Sequence, residues 1–289
     1  MYRQHMQNEL TEHFVYARLA AREKNPANCL LLEKMSVQEK EHYELWRKLA
    51  PEVQVKPRQM VIFGFSLMRT VLGVTFTTKF LETHENQAVS QYQKLLVDIP
   101  PESRVYLEQI IEEEKSHEKA LLAQIKEKRV SYLSFIVLGL ADAIVEITGV
   151  HAGFLGVTGS TLVAGVSGII VGFAAAISMA SAAYLQAKQD PDRSAVVSAF
   201  STGIAYIVSV IFLALPYFWM DRMIPAFIVS TVVGIVMIGG FTYYGAVVFD
   251  RKFWREFLEA AGLMLGTAVA TFFVGKIIGS VFHVDSQNF

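Results

Sequence analysis

The segment Glu112 to Ala120 reads EEEKSHEKA and places Glu114 and His117 three residues apart. A mixed charged run of this kind is usually a solvated face of a helix. Residues three apart share one helix face, however, so a Glu-x-x-His pair can also direct a carboxylate and an imidazole at one metal ion. The remainder of the sequence favours the second interpretation.

The Glu-x-x-His pair belongs to a pattern that occurs twice. In each copy a glutamate precedes a tyrosine by seven residues, and the Glu-x-x-His begins 30 residues after that glutamate in the first copy and 29 in the second. The copies consist of Glu9, Tyr16, Glu39 and His42, and of Glu85, Tyr92, Glu114 and His117. Two copies at nearly equal spacing indicate a common structural cause.

We expect the four helices that carry this pattern to pack as a bundle around a dinuclear metal centre. Carboxylate oxygens and imidazole nitrogens without a thiolate suit iron or manganese. Glu12 and Glu82 lie one turn from Glu9 and Glu85, so the sequence leaves open which of these glutamates ligate. The expected ligands are Glu9, Glu39, His42, Glu82, Glu85, Glu114 and His117, with Glu12 as a further candidate.

Helical periodicity, interrupted by prolines, predicts four helices in the first half of the chain, at residues 3–24, 27–50, 59–97 and 102–129. The third opens with MVIFGFSLMRTVLGVTF (Met60 to Phe76), which is apolar nearly all round apart from Arg69. This opening is either a buried core or dimer helix or a segment that lies in the membrane interface. Three histidines outside the repeated pattern are expected on the surface or in packing roles: His5, His13 and His84.

Charge is concentrated in residues 1–130, which hold 19 Lys or Arg and 18 Asp or Glu, against 7 and 9 in residues 131–289. The whole chain is 53% hydrophobic and 18% charged, a balance unusual for a soluble globular protein. No basic patch interleaved with aromatic residues indicates a nucleic-acid partner. The single Cys29 excludes an internal disulfide and a four-cysteine metal site.

The abrupt change in charge near residue 130 predicts two different domains, at residues 1–129 and 130–289.

The second domain contains five apolar stretches, each of which reaches the ~20 residues that a helix needs to cross a hydrocarbon core. Because a spanning segment must satisfy its own backbone hydrogen bonds, these stretches are predicted to be helices and the whole chain to be all-α. The predicted spans are approximately Ser131 to Val157, Thr161 to Ala187, Ser194 to Trp219, Ile224 to Phe249 and Phe257 to Phe282.

Basic residues in the connecting segments predict the orientation of the spans. The connecting segments on one side of the membrane hold eight basic residues, whereas those on the opposite side hold only Arg222. The positive-inside rule then predicts a multi-pass protein of the cell membrane, with residues 1–130 in the cytoplasm and the C-terminus outside the cell. The basic residues assigned to the cytoplasmic side are Lys126, Lys128, Arg129, Lys188, Arg193, Arg251, Lys252 and Arg255.

Two acidic residues, Asp142 and Glu146, lie four apart in the first predicted span and share one helix face. A carboxylate at the middle of a membrane costs about 2.5 kcal/mol or more on insertion scales and is usually kept there for function. The alternative is a pair of polar groups that serves helix packing. Met179 in the second span can offer a thioether to a metal, although a lone methionine on an apolar helix more often serves packing.

The order Glu, Glu-x-x-His, Glu, Glu-x-x-His and the endings EKEHYELW and EKSHEKALL resemble the erythrin or rubrerythrin branch of the ferritin-like superfamily over about residues 1–128. This resemblance implies a four-helix bundle with a di-iron centre that oxidises ferrous iron with oxygen or peroxide. It also implies that a second glutamate of the third helix, Glu82, can enter the site. Rubrerythrins carry a rubredoxin domain held by four cysteines, whereas this chain has one cysteine.

The motif GLADAIVEITGV, the small-residue second span ending in ISMA, and Leu215-Pro216 resemble the vacuolar iron transporter family over about residues 131–282. This resemblance implies a dimeric, proton-coupled exporter of ferrous iron and manganese, with Asp142 and Met179 lining the path. The family's Gly-Glu-Tyr after the methionine reads Ala182-Ala183-Tyr184 here, and its metal-collecting helices are reduced to QAKQDPDRS. The fusion as a whole resembles the membrane-bound ferritins.

The sequence therefore predicts a membrane exporter of divalent iron, or of manganese, whose cytosolic di-iron domain captures, senses or oxidises the ion. The expected partners are the metal ion, protons, the lipid bilayer and a second copy of the chain. A different class stays open: a membrane-tethered di-iron oxidoreductase, a ferroxidase or peroxidase, in which the apolar half is an anchor. A third is a metal sensor without turnover.

Overall fold

A computed structural model describes residues 2–96, 101–116 and 128–282, apart from the side chains of residues 83–91, 94, 102–103, 113–116 and 128–129. All regular secondary structure in these ranges is helical, which confirms the predicted all-α class. Ten helices lie in them: α1 (Tyr2–Ala20), α2 (Pro26–Leu49), α3 (Gln59–Leu72), α4 (Val74–Leu95), α5 (Pro101–Ser116), α6 (Lys128–Val157), α7 (Thr161–Ala187), α8 (Ala195–Trp219), α9 (Met223–Phe249) and α10 (Phe253–Val281).

The chain divides into two compact units, Met1–Lys128 and Arg129–Phe289. The charged half of the sequence forms the first unit and the apolar half forms the second. Each unit has its own hydrophobic clusters, as expected where composition changes abruptly along a chain.

In the first unit, α1 and α2 form a hairpin, and α1 also packs against α3. Helix α4 contacts both α3 and α5, and α5 contacts α2. Asn25 begins α2 because its side-chain oxygen accepts hydrogen bonds from the backbone nitrogens of Ala27 at 3.0 Å and Asn28 at 3.5 Å. Pro26 follows as the first helical residue, where its missing N–H has no intrahelical role.

The prediction of one continuous helix over residues 59–97 is wrong, because the chain breaks at Gly73 into α3 and α4. Gly73 has a φ of 91°, a conformation that a residue with a side chain rarely adopts. The apolar pattern on both sides of residue 73 is compatible with a helix, so periodicity alone did not reveal the break. Helix α4 therefore begins as a separate helix at Val74.

Helix α3 buries only one narrow face. Ile62 and Ser66 are buried, whereas most of its other apolar side chains are exposed. Arg69 turns toward the loop between α1 and α2: its guanidinium lies 3.2 Å from the Glu23 carboxylate and donates to the backbone oxygen of Arg22 at 2.6 Å. The exposed face of α3 does not fit the core-helix alternative for residues 60–72, whereas Val74 and Phe76 at the end of the predicted segment are buried.

Among the described residues of the second unit, five helices are long and apolar enough to cross a membrane, as many as the sequence predicts. Ser160 and Ser194 begin α7 and α8, since each side-chain oxygen accepts from the backbone nitrogen three residues on. Successive helices from α7 to α10 pack against one another. A protein with these helices is a multi-pass membrane protein.

The first span, α6, contacts other spans through apolar packing and through close approach of backbones. Ile144 and Ile147 are buried in a cluster that includes Tyr206 of α8 and Met264 of α10. Nearer the end of α6, Gly153 meets Gly275 of α10 so closely that a Cβ on residue 275 would collide with the carbonyl of residue 153. Small residues at such crossings let membrane helices pack tightly.

Candidate functional site

Three of the predicted ligands converge inside the first unit. Glu9 on α1 and Glu39 and His42 on α2 each offer one ligand atom, and these atoms lie within 4.8 Å of one another. Nδ1 of His42 is 3.7 Å from Oε2 of Glu9 and 3.8 Å from Oε2 of Glu39. All three residues are buried. The antiparallel packing of α1 on α2 therefore joins the first glutamate of the pattern to the Glu-x-x-His that follows it.

The other carboxylate oxygen of Glu9 is fixed by two aromatic side chains. Tyr92 of α4 donates its hydroxyl hydrogen to Oε1 at 2.6 Å, and Nε1 of Trp46 on α2 donates to the same oxygen at 3.2 Å. Both donors are buried. Because Oε1 accepts both bonds, Oε2 is left directed toward His42, and this is the arrangement of a ligand that neighbouring groups orient.

An aromatic cluster surrounds this carboxylate. His5, one turn before Glu9, stacks on Trp46 with ring centroids 5.0 Å apart and meets Tyr92 edge-on at 4.9 Å. Trp46 and Tyr92 are in turn 5.1 Å apart. His5 is buried, so of the two predicted alternatives, surface or packing, it takes the packing role.

Electrostatics at the site favour a charged Glu9 and a neutral His5. Burial raises the pKa of the Glu9 carboxyl, but His42 and the hydrogen bonds that Glu9 accepts outweigh burial and hold this pKa below its ordinary value. Burial lowers the pKa of the His5 imidazole, and the neighbouring Glu9 only partly opposes it. A carboxylate kept charged in an apolar interior is suited to neutralise a cation.

The chemistry of the three donors fits a divalent first-row metal. Donors bound to one such ion at about 2.0 to 2.2 Å lie some 3 to 4 Å from each other, and both distances from His42 fall in this range. Two carboxylates with one imidazole form a hard to borderline set that suits iron or manganese. The residues present therefore fit one half of the predicted dinuclear centre.

The remaining predicted ligands are Glu12, Glu82, Glu85, Glu114 and His117. Glu82 on α4 is buried, and Glu12 on α1 is half-buried and lines a cleft of about 290 Å³ with Arg58 and Phe65, but neither belongs to the group of three. Glu85 and Glu114 lie on α4 and α5, with side chains outside those described. His117 lies outside the described residues. The second half of the predicted centre thus stays a prediction.

In the second unit, the first-span acids lie beside a tyrosine of another helix. Tyr206 of α8 donates its hydroxyl hydrogen to Oε2 of Glu146 on α6. Asp142 interacts electrostatically with both Glu146 and Tyr206. Met179 of α7 is partly buried and packs against the cluster that contains Tyr206. The predicted path residues therefore come from helices that meet at one cluster.

Glu146 also lines a cleft of about 430 Å³ between α6, α7 and α10. The rest of its described lining is apolar or hydroxyl-bearing, and includes Gly149, Thr267 and Thr271. A single carboxylate in such a cleft is the strongest local charge available to a cation.

Sequence reasoning missed Trp46 and Tyr206 as partners of the acidic residues. Trp46 lies seven residues after Glu39 on the same helix, and that spacing could have indicated a shared face. Tyr206 lies 60 residues from Glu146, and no local pattern joins them. Sequence reasoning also assigns no role to His151. Its imidazole is fully buried beside Tyr217, and neither ring nitrogen forms a hydrogen bond with any of the described residues.

A scan against protein-family models and a search of curated proteins both return no match for this chain. The resemblance to ferritin-like and vacuolar iron transporter proteins therefore rests on the sequence motifs alone.

Proposed function

We propose that this protein exports divalent iron, or manganese, across the cell membrane, and that its first unit captures the ion in a di-iron centre before or beside transport. The observation that carries the transport proposal is the pair Asp142 and Glu146 on the first span, with Glu146 bonded to Tyr206 of another span. An anchor gains nothing from acids that cost free energy to insert.

The acids of the first span supply what a divalent cation loses on leaving water. Two carboxylates and the hydroxyl of Tyr206 offer oxygen donors of the kind that iron and manganese accept. Glu146 already gives one oxygen to Tyr206, so binding of an ion there would compete with this hydrogen bond. Protonation of the acids would weaken cation binding and so couple export to a proton gradient, as the family resemblance implies.

The centre of the first unit would be held by Glu9, Glu39 and His42 from the first copy of the sequence pattern. The second copy supplies Glu85, Glu114 and His117, with Glu82 and Glu12 as additional carboxylates. Bound iron at this centre would supply redox chemistry with oxygen or peroxide. The residues of the chain bind the metal, and Tyr92 and Trp46 orient one carboxylate toward it.

Metal flux in proteoliposomes of the full chain tests the transport proposal. We expect iron or manganese to move under a pH gradient, and we expect Asp142→Asn and Glu146→Gln each to reduce the flux strongly, because these variants keep the shape and lose the charge. Asp192→Asn, in the exposed loop between α7 and α8, is the control and should transport normally. No flux by the parent chain would contradict the proposal.

The proposed topology places the first unit in the cytoplasm and the C-terminus outside. A reporter fused after Phe289 should be active only outside the cytoplasm, and a cysteine at Asp190 in a Cys29→Ser background should be labelled only from the cytosolic side. The opposite pattern would reverse the proposed direction of transport.

A membrane-anchored di-iron oxidoreductase is the second candidate. The observation that favours it is the packing of Tyr92 and Trp46 directly on Glu9, because oxidisable aromatic rings then touch a metal ligand. Oxygen consumption on addition of ferrous iron distinguishes the two functions. A ferroxidase without transport would show full activity in the Asp142→Asn, Glu146→Gln double variant and no metal flux in the parent.

A further inference from the structure

Helix α3 carries an apolar stripe on its exposed face. Met60, Phe63, Leu67 and Val71 are 81%, 61%, 55% and 67% exposed. Their spacing of three and four residues places them on one side of the helix, opposite the buried Ile62 and Ser66. An apolar face of this size in a folded unit marks a surface that another apolar phase covers.

We propose that this stripe, Met60 with Phe63, Leu67 and Val71, lies on the lipid surface of the membrane, with α3 parallel to the bilayer plane. Helix α3 has 14 residues and is therefore about 21 Å long, too short to cross a hydrocarbon core of about 30 Å. A helix with one apolar face and one polar or packed face binds in the interface between headgroups and acyl chains.

The charges around α3 agree with a lipid partner. Lys56 and Arg58 immediately precede the helix and are exposed, and no charged side chain lies within the stripe itself. The one arginine of the helix, Arg69, is turned away into its pair with Glu23. Basic residues beside an apolar stripe complement the anionic headgroups of a cytoplasmic leaflet.

A second copy of the chain is a poorer occupant. A stable protein interface buries about 800 Å² on each partner and involves some 20 to 30 residues a side, whereas the stripe consists of four large side chains. The first unit is also tethered to the bilayer, because the same chain carries five helices able to cross it. Tethering of this kind raises the effective concentration of the partner to the millimolar range.

The break at Gly73 makes this placement compatible with the metal site. Because the chain breaks at Gly73, where φ is 91°, α3 and α4 are separate helices, and α3 can follow the lipid surface while α4 keeps Tyr92 against Glu9. The inference does not depend on what the protein transports or oxidises.

Site-directed spin labelling of the full chain in lipid nanodiscs tests the proposal. Replacement of the single cysteine by Cys29→Ser allows one nitroxide at Phe63→Cys or at Leu67→Cys. The control is Leu30→Cys on α2, an apolar side chain of similar exposure, 68%. The measurements are collision rates of each label with oxygen, which concentrates in lipid, and with a water-soluble chromium complex.

We expect labels at residues 63 and 67 to collide mainly with oxygen and the label at residue 30 to collide mainly with the chromium complex. Adding Phe63→Glu should shift the label at residue 67 toward the chromium complex, because a carboxylate in the stripe opposes lipid contact. Circular dichroism of each variant checks that the fold is kept.

Two results would overturn the proposal. One is chromium accessibility at residues 63 and 67 equal to that at residue 30. The other is protection of these labels only in nanodiscs that hold two copies, with short distances between the two labels, since a second copy would then cover the stripe.

Discussion

Tyr92 of α4 donates a 2.6 Å hydrogen bond to Glu9 of α1 across 83 residues of sequence, and this contact joins the two copies of the Glu-to-Tyr pattern. Oxygen Oε1 of Glu9 is occupied by this bond and by the one from Trp46. The tyrosine thereby decides which carboxylate oxygen faces His42.

Removal of that hydrogen bond should weaken metal binding. We expect Tyr92→Phe to lower the affinity of the full chain for Mn²⁺ by about 10- to 100-fold, the usual effect of losing a group that orients a ligand. Tyr106→Phe, on the exposed surface of α5, should bind as the parent does. Calorimetric titration of the purified protein measures both, and equal affinity of Tyr92→Phe and the parent would contradict the orienting role.

Metal removal should destabilise the parent and leave a ligand variant unaffected. A ligand that binds only the folded state at a hundred times its Kd adds about 2.7 kcal/mol, so a chelator should lower the Tm of the metal-loaded parent. Glu39→Gln should show no such change, whereas Glu41→Gln, two residues along and exposed, should respond as the parent does. A chelator-sensitive Tm in Glu39→Gln would exclude Glu39 as a ligand.

Acid should destabilise the first unit through His5. Burial holds the pKa of this imidazole below the ordinary value of 6.5, so the unfolded chain binds the proton more readily than the folded chain does. The stability due to a neutral His5 is therefore present above pH 6.5 and decreases as pH falls below it. In metal-free protein, His5→Phe should reduce the loss of Tm between about pH 7 and pH 5.5; an identical loss in the variant would rule out His5 as its source.

Replacement by alanine should change the stability of the membrane unit differently at two glycines of α10. Gly275→Ala places a Cβ against the Gly153 carbonyl and should cost about 1 to 3 kcal/mol through overpacking. Gly266→Ala meets no atom within 4 Å and should be neutral or stabilising by up to about 1 kcal/mol. Thermal unfolding in detergent compares the pair, and equal stability of the two variants would show that α6 and α10 do not meet at residue 153.

Replacement of His151 by leucine should stabilise the membrane unit. Both ring nitrogens are buried without hydrogen bonds among the described residues, and an apolar side chain of similar size removes that cost, about 1 kcal/mol or more. His151→Gln should not stabilise, because the amide is equally polar. A lower Tm for His151→Leu would mean that a bound water molecule or another group satisfies the imidazole.

Local spacing was sufficient to predict the five spans and the grouping of Glu9, Glu39 and His42. The spans are recognised from the apolar length of single segments. The three acidic and histidine side chains lie on two helices that follow each other in the sequence and form a hairpin. The contacts of Tyr92 with Glu9 and of Tyr206 with Glu146 depend on how distant helices pack, and no periodicity encodes that. The break at Gly73 depends on one backbone angle, which the surrounding apolar pattern conceals.

The grouping of Glu9, Glu39 and His42 within one helical hairpin also sets an order of events during synthesis. All three donors lie in the first 42 residues, so they can meet as soon as α1 and α2 have left the ribosome, with only a short loop to close. Tyr92 is translated 50 residues after His42, and the first span later still. The hairpin of α1 and α2 can therefore bring these three side chains together before the first span, α6, is translated.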